Sequence, residues 1–320
     1  MASDRRFRFG VHTSDATSGE AWATAARRYE TLGFSTLLLR DHFDQQLAPI
    51  AAMTAAACAT KTLRVGCLVF DNDYRHPLVL AKELATLDHL SDGRVEIGLG
   101  AGWMAPDYEQ AGIAFDPPAE RVARLEEAVR VIKALFTGGS VDFTGEHYTI
   151  TGHEQYPPTG QRARPPILIA GGGARMLRFA SREADIIGIN PARVSNAAWD
   201  DQNLADAGAD AMDRKVRLIR ETAGDRYDQV ELQIVVPFVV ITDDRDGTAA
   251  AIAASLPSED ATVDLGAETV LSSPHVLIGT EAQICETMHE RRERWDLSYY
   301  VFNDDSIEAV APIVARLAGT

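Results

Sequence analysis

Residues 167–175 read ILIAGGGAR: an unbroken apolar run, three glycines, then residues suited to a helix. A strand that passes through such a tip directly into a helix is the opening half of a parallel α/β unit. Residues 36–42, TLLLRDH, repeat the plan with a polar tip, Asp41-His42. Six further runs have the same character: 7–12 (FRFGVH), 64–69 (RVGCLV), 94–99 (RVEIGL), 185–190 (DIIGIN), 231–236 (ELQIVV) and 299–303 (YYVFN). Most are continuous β-branched or leucine runs without polar alternation, as strands covered on both faces require. Helical patterns fill the gaps. One, 19–32, closes at Gly33, and another, 117–136, opens on Pro117-Pro118 and stops before Gly138-Gly139, the proline-start, glycine-stop asymmetry of helices. Eight such repeats predict a (β/α)8 barrel. That fold needs ~250 residues before insertions, so residues 1–320 are expected to form one domain. Insertions are expected at roughly 141–165, 191–215 and 257–275: a hairpin over 141–150 turning at Thr144-Gly145, a polar acidic loop leading into a helix, and an irregular segment. Insertions of this kind build lids and substrate walls, or are tolerated decoration.

Composition narrows the function. The chain carries 47 acidic and 31 basic residues, a net charge of −16, and such a surface repels nucleic acid and anionic membranes. The longest apolar runs, such as IVVPFVVI at 234–241, are far shorter than the ~20 residues of a membrane span. The opening MASDRRFRFG lacks the basic start, apolar core and cleavage site of a signal peptide. Three widely spaced cysteines, Cys58, Cys67 and Cys285, suit neither a disulfide framework nor a zinc cluster, and a reducing cytoplasm is the expected location. Metalloprotease, P-loop and serine-hydrolase motifs are absent from the sequence, and no metal is expected.

In a parallel barrel the loops that follow the strands gather at one face, where the active site lies. Three tips are therefore chemically loaded. Asp41-His42 offers a carboxylate and an imidazole, the side chain best suited to hold or release a proton near neutral pH; the plainer alternative is a strand-end cap with a backbone-bonded histidine. Gly171-Gly172-Gly173, followed by Ala174 and Arg175, offers backbone N–H groups at a positive helix end, a natural phosphate cradle; the alternative is a tight turn that needs positive φ. Gly100-Ala101-Gly102 lets backbone approach a flat ring, with Trp103 as a pocket wall or a core residue. No βαβ unit with a ribose-binding acid follows that loop, which separates it from a dinucleotide fingerprint. His12 and Asn190 end strands on the same face and are candidate pocket residues.

The stretch RHPLVLAKELATLDHLSDGRVEIGLGAGW (75–103) resembles the luciferase-like flavin and deazaflavin oxidoreductases. So do LGFSTLLLRDH (32–42), AGGGARMLRFASREADIIGIN (170–190) and IGTEAQI (278–284). Asp41-His42 and DNDYRHP (71–77) are similar to the branch that uses coenzyme F420, an 8-hydroxy-5-deazaflavin, rather than to the FMN branch of the bacterial luciferases. The resemblance implies a (β/α)8 barrel, with Asp41 beside the deazaflavin ring and His42 at its reactive edge as proton handler. It also implies a non-prolyl cis peptide in a bulge at Cys67-Leu68-Val69-Phe70, behind the ring. Sugar-phosphate dehydrogenases of this family carry a glutamate where Trp103 stands, which argues for a different substrate. The expected activity is hydride exchange with a small organic molecule, an activated C=C or C=O bond or an alcohol, with FMN-dependent monooxygenation as the alternative. A small-molecule substrate and a second copy of the chain, as a homodimer, are the expected partners.

Overall fold

Strand and helix alternate from end to end in the computed structural model, which describes residues 5–158, 164–192, 206–256 and 266–320. The strands are β1 Arg8–His12, β2 Thr36–Leu39, β3 Arg64–Cys67, β4 Val95–Gly100, β5 Ile167–Gly171, β6 Ile186–Ile189, β7 Glu231–Val236 and β8 Leu297–Asn303. Each lies within two residues of its expected start. The accompanying helices are α1 Gly19–Thr31, α2 Pro49–Ala59, α3 Pro77–Leu90, α4 Pro118–Thr137, α5 Ala174–Glu183, α6 Ala209–Ala223, α7 Glu281–Trp295 and α8 Ile307–Leu317. The strands follow one another in sequence order from β1 to β8, and β3 also pairs with β4. The fold is a (β/α)8 barrel.

Two compact units share the chain: residues 12–31 with 35–169, and the N-terminal stretch to Val11 with 32–34 and 170–320. In the first, Leu37, Leu38, Leu39, Val65, Val95 and Ile97 are almost wholly buried, each burial stabilising by roughly 1.5–3 kcal/mol. Glu96 is buried among them and accepts from Arg64 Nε at 2.8 Å, which is how a carboxylate survives in a strand interior. The start of β3 is clamped by Glu30, whose Oε1 accepts the amides of Lys61 and Leu63, both at 2.9 Å, and of Thr62. Burial works to raise the Glu30 pKa, but these amides outweigh it and hold it down at about 2.

In the second unit, the rings of Phe7, Phe9, Tyr300 and Phe302 form a continuous aromatic core, with Phe9 stacked on Phe302 at 6.2 Å. Thr280 and Gln283 make a reciprocal capping box at the start of α7, which explains the IGTEAQI pattern as helix initiation.

The expected hairpin is present as antiparallel strands Ser140–Thr144 and Thr149–Glu154. Glu127 accepts the amides of Glu146, His147 and Tyr148 at its turn. Of the other two insertions, residues 193–205 and 257–265 lie outside the described residues. The segment 257–275 was expected to be irregular, but its described part contains a helix, Ala267–Ser272. A further parallel pair, Phe238–Ile241 with Val276–Gly279, forms a separate two-stranded sheet. Among the described residues no helix is long and apolar enough to cross a membrane, and no three His, Cys, Asp or Glu side chains are placed to hold a metal ion.

Candidate functional site

The tip of β2 delivers Asp41 and His42 into different surroundings. Asp41 is buried, and its Oδ1 accepts from Arg75 Nη2 at 2.9 Å while Oδ2 takes Arg75 Nη1 at 2.5 Å and the Asp71 amide at 3.0 Å. Its carboxylate thus ties the end of β2 to the 70–75 segment, a bidentate pairing with strong directionality. His42 is bound through Nδ1 to Asp107 Oδ2 at 2.6 Å. The same Asp107 oxygen accepts from Tyr74 Oη at 3.1 Å. Burial, reinforced by the charges of Asp71 and Asp107, pushes the Tyr74 phenol far above its ordinary pKa, so it keeps its proton and donates. His42 Nε2 bonds to no described residue. The Trp103 ring meets the imidazole edge-on at 5.5 Å and is 37% exposed. Phe43, 47% exposed, lies against Tyr74 at 4.6 Å.

The loop carrying Trp103 is shaped by glycines, though its space is taken by the protein itself. A Cβ on Gly98 would overlap the Cys67 carbonyl oxygen, one on Gly100 the Val69 side chain, and one on Gly102 the Tyr108 hydroxyl. Gly102 also has φ +74°, a left-handed conformation that favours glycine. Gly100 and Gly102 were expected to open room for a flat ring; in this structure they admit Val69 and Tyr108. Arg121 anchors the loop from α4, donating to the carbonyl of Ala101 at 3.1 Å and to that of Gly102. The Leu68–Val69 peptide is cis, at the position the resemblance indicated. Cys67 is fully buried, and desolvation raises its thiol pKa well above the ordinary value, which leaves it an inert thiol.

Beneath the loop, Tyr108 Oη lies 3.0 Å from both carboxylate oxygens of Asp71 and 3.0 Å from Asp73 Oδ2. One proton serves three carboxylate oxygens. Burial, partly offset by the Asp73 amide and reinforced by the Asp73 charge, lifts the Asp71 pKa to about 6. His12 ends β1 half-buried.

In the other unit, the triplet sits at the junction of β5 and α5. None of Gly171, Gly172 and Gly173 has positive φ, so the alternative reading, a tight turn that needs that conformation, falls away. The need for glycine is steric. A Cβ on Gly171 would strike Met176, and one on Gly172 would strike the backbone of 190–192, with Pro191 C at 2.5 Å. That backbone is fixed in turn: Asn190 N donates to Gly171 O at 3.1 Å, and Asn190 O accepts from Lys215 Nζ at 2.9 Å. Lys215 also pairs with Asp206 at 2.6 Å. Gly173 is the N-cap of α5 and no side chain caps the helix. A Cβ there would meet nothing within 4 Å. Ala174 and Arg175 follow, both exposed.

Sequence inspection singled out His42 and the glycine turns but missed Arg75, Tyr74, Asp107 and Arg121, which hold them. Asp107 stands in the short helix Ala105–Ala111, and an acidic residue one turn after Trp103 was the available signal.

A family model described as luciferase-like monooxygenase matches residues 6–297. An F420-dependent glucose-6-phosphate dehydrogenase from Amycolatopsis mediterranei (strain U-32) is 33% identical over 168 residues, 50% of this chain and 50% of that protein. The chain thus aligns with about half the length of the first curated relatives it matches. Among solved structures, an F420-dependent secondary alcohol dehydrogenase in complex with an F420-acetone adduct superposes with a TM-score of 0.75 at 17% identity, covering 98% of this chain and 99% of that one. The F420-dependent tetrahydromethanopterin reductase of Methanopyrus kandleri gives 0.73 at 18%, with 98% and 99% covered. At such identities the likeness shows the fold alone.

Proposed function

Because the chain belongs to the luciferase-like monooxygenase family, we propose that it is an oxidoreductase that exchanges hydride between coenzyme F420 and a small organic substrate, with residues 1–320 acting as one domain. The observation that carries the reading is His42: a carboxylate holds its Nδ1, Nε2 is left to exchange a proton, and the side chain is 16% exposed. The F420-dependent relatives support the choice of cofactor.

The residues present fit the group. Gly173 leaves open space in front of an α5 N-terminus that no side chain caps, and such an end attracts a phosphate through its N–H groups and dipole. Gly171 to Arg175 would hold that anion. Asp41, Cys67 and Leu68 would frame the ring region. Bound, F420 supplies a ring carbon that takes or gives two electrons as hydride. The protein's part is to orient the substrate and to move one proton, and His42 Nε2 does the latter. Trp103 and Phe43 present an apolar wall to the substrate, with His12 as a further pocket residue. An aromatic at 103 in place of a carboxylate favours an uncharged alcohol, ketone or enone over a sugar phosphate.

Fluorescence titration of the purified protein with F420 and, separately, with FMN tests the reading. Binding of F420 in preference to FMN is expected. Tight FMN binding with no F420 binding would overturn it in favour of an FMN-dependent monooxygenase.

A further inference from the structure

We infer that Asp107 is a positioning residue that fixes the tautomer of His42, placing the proton on Nδ1 and the lone pair on Nε2. The inference rests on His42 being the proton-exchanging group, and it adds which nitrogen does the work and what decides it.

The geometry leaves little freedom. Asp107 Oδ2 lies 2.6 Å from His42 Nδ1, and the Asp107 side chain is 3% exposed. The same oxygen accepts the Tyr74 hydroxyl at 3.1 Å. Tyr74 has its phenol pKa driven up by burial, so it acts as a donor and presents no acceptor proton-hungry enough to reverse the arrangement. A carboxylate is an acceptor only, so Nδ1 has to bring the hydrogen. The tautomer of a neutral imidazole is set by the bond its other nitrogen makes. Exchanging the two nitrogens by rotation would break the bond to Asp107, and Trp103 packs edge-on against the ring at 5.5 Å and 87°. The ion pairs nearby are committed elsewhere: Arg75 to Asp41, and Arg124 to Asp73 and Asp116. Asp107 therefore has His42 and Tyr74 as its bonded partners.

A substrate that approaches His42 accordingly meets a lone pair on Nε2 when the imidazole is neutral, and an Nε2–H donor when it is protonated. In both states Nε2 is the atom at which the proton is exchanged. Without Asp107 the neutral ring is free to carry its hydrogen on Nε2, where it has no lone pair to offer.

Nitrogen-15 NMR of histidine-labelled protein without any cofactor reads the tautomer directly. Expected is a neutral-form His42 signal with Nδ1 protonated and Nε2 bare in the wild type. Asp107→Ala should shift the population to Nε2–H, whereas Asp107→Asn, whose amide oxygen can take the same two donors, should retain Nδ1–H. With a reporting substrate, kcat of Asp107→Ala should fall by about 100-fold or more with KM nearly unchanged. A wild-type His42 with its proton on Nε2, or Asp107→Ala with an unchanged tautomer and full kcat, would overturn the inference. Should Asp107→Ala not fold, the wild-type and Asp107→Asn spectra still decide. Because the NMR needs no F420, failure here is distinct from failure of the cofactor assignment.

Discussion

Replacing Gly102 with alanine should be among the costliest single-methyl additions in the chain, and two separate terms set the size. Gly102 has φ +74°, where an L-residue costs roughly 1–2 kcal/mol. The new methyl would also overlap the Tyr108 hydroxyl and lie 2.5 Å from Asp71 Oδ2. Moving that hydroxyl removes the donor shared by Asp71 and Asp73, and stranding a buried acceptor costs about 1–3 kcal/mol. The sum is roughly 2–5 kcal/mol. Gly112 supplies the control: its φ is +69°, and a Cβ there meets nothing within 4 Å. Gly112→Ala should therefore show only the backbone term. Urea denaturation of the two variants measures the difference. Tyr108→Phe removes the obstructing oxygen, so the double variant Gly102→Ala/Tyr108→Phe should cost less than the sum of its parts by about 1 kcal/mol or more. Equal losses for Gly102→Ala and Gly112→Ala, or strict additivity with Tyr108→Phe, would refute the claim that the Trp103 loop is packed on Tyr108.

Asp71 should impose a pH dependence on stability. Its folded pKa is raised from 3.8 to about 6, so its favourable contribution is fully present below the unfolded value and is lost as pH rises through about 6. Across that window Asp71→Asn should gain on the wild type by roughly 3 kcal/mol, read from denaturation at several pH values; a constant difference would show that Asp71 is not held protonated. Gly172→Val would push the turn against the backbone of 190–192, and F420 affinity should drop at least about tenfold, equivalent to ~1.4 kcal/mol, with the fold retained by circular dichroism. Unchanged affinity would remove the turn from the phosphate site. His42→Ala should lower kcat by about 10²–10⁴ while leaving F420 affinity nearly intact, since its proposed task is moving a proton; full kcat would make the imidazole a structural strand-end residue.

The barrel was legible because strands buried on both faces are largely apolar, and most of the eight runs, each followed by a helical pattern, have that character. The hairpin showed through its turn residues. The pair Phe238–Ile241 and Val276–Gly279 did not, because IVVPFVVI reads as one run, and only in three dimensions does Pro237 separate a barrel strand from its neighbour. For the site, residue type and strand-end position sufficed to find His42 and the glycine turns. Their partners were hidden by distance in sequence: Asp107 lies 65 residues from His42, and Arg75 lies 34 from Asp41. The glycines were found for an incomplete reason. Conformational freedom was the alternative reading at 171–173, yet close approach of backbone and of Met176 is what excludes a side chain at 171 and 172. Spacing carries no information about such contacts.

Hydride exchange with F420 is the most direct test of the central claim. The purified protein would be mixed with oxidised F420 and a panel of secondary alcohols, and with reduced F420 and a panel of ketones and enones, following the cofactor's absorbance and, in parallel, oxygen uptake. A change in F420 redox state with at least one uncharged substrate, without oxygen uptake, is expected, as is its loss in His42→Ala. Oxygen-consuming turnover with reduced FMN, and no reaction of F420 with any member of the panel, would contradict it.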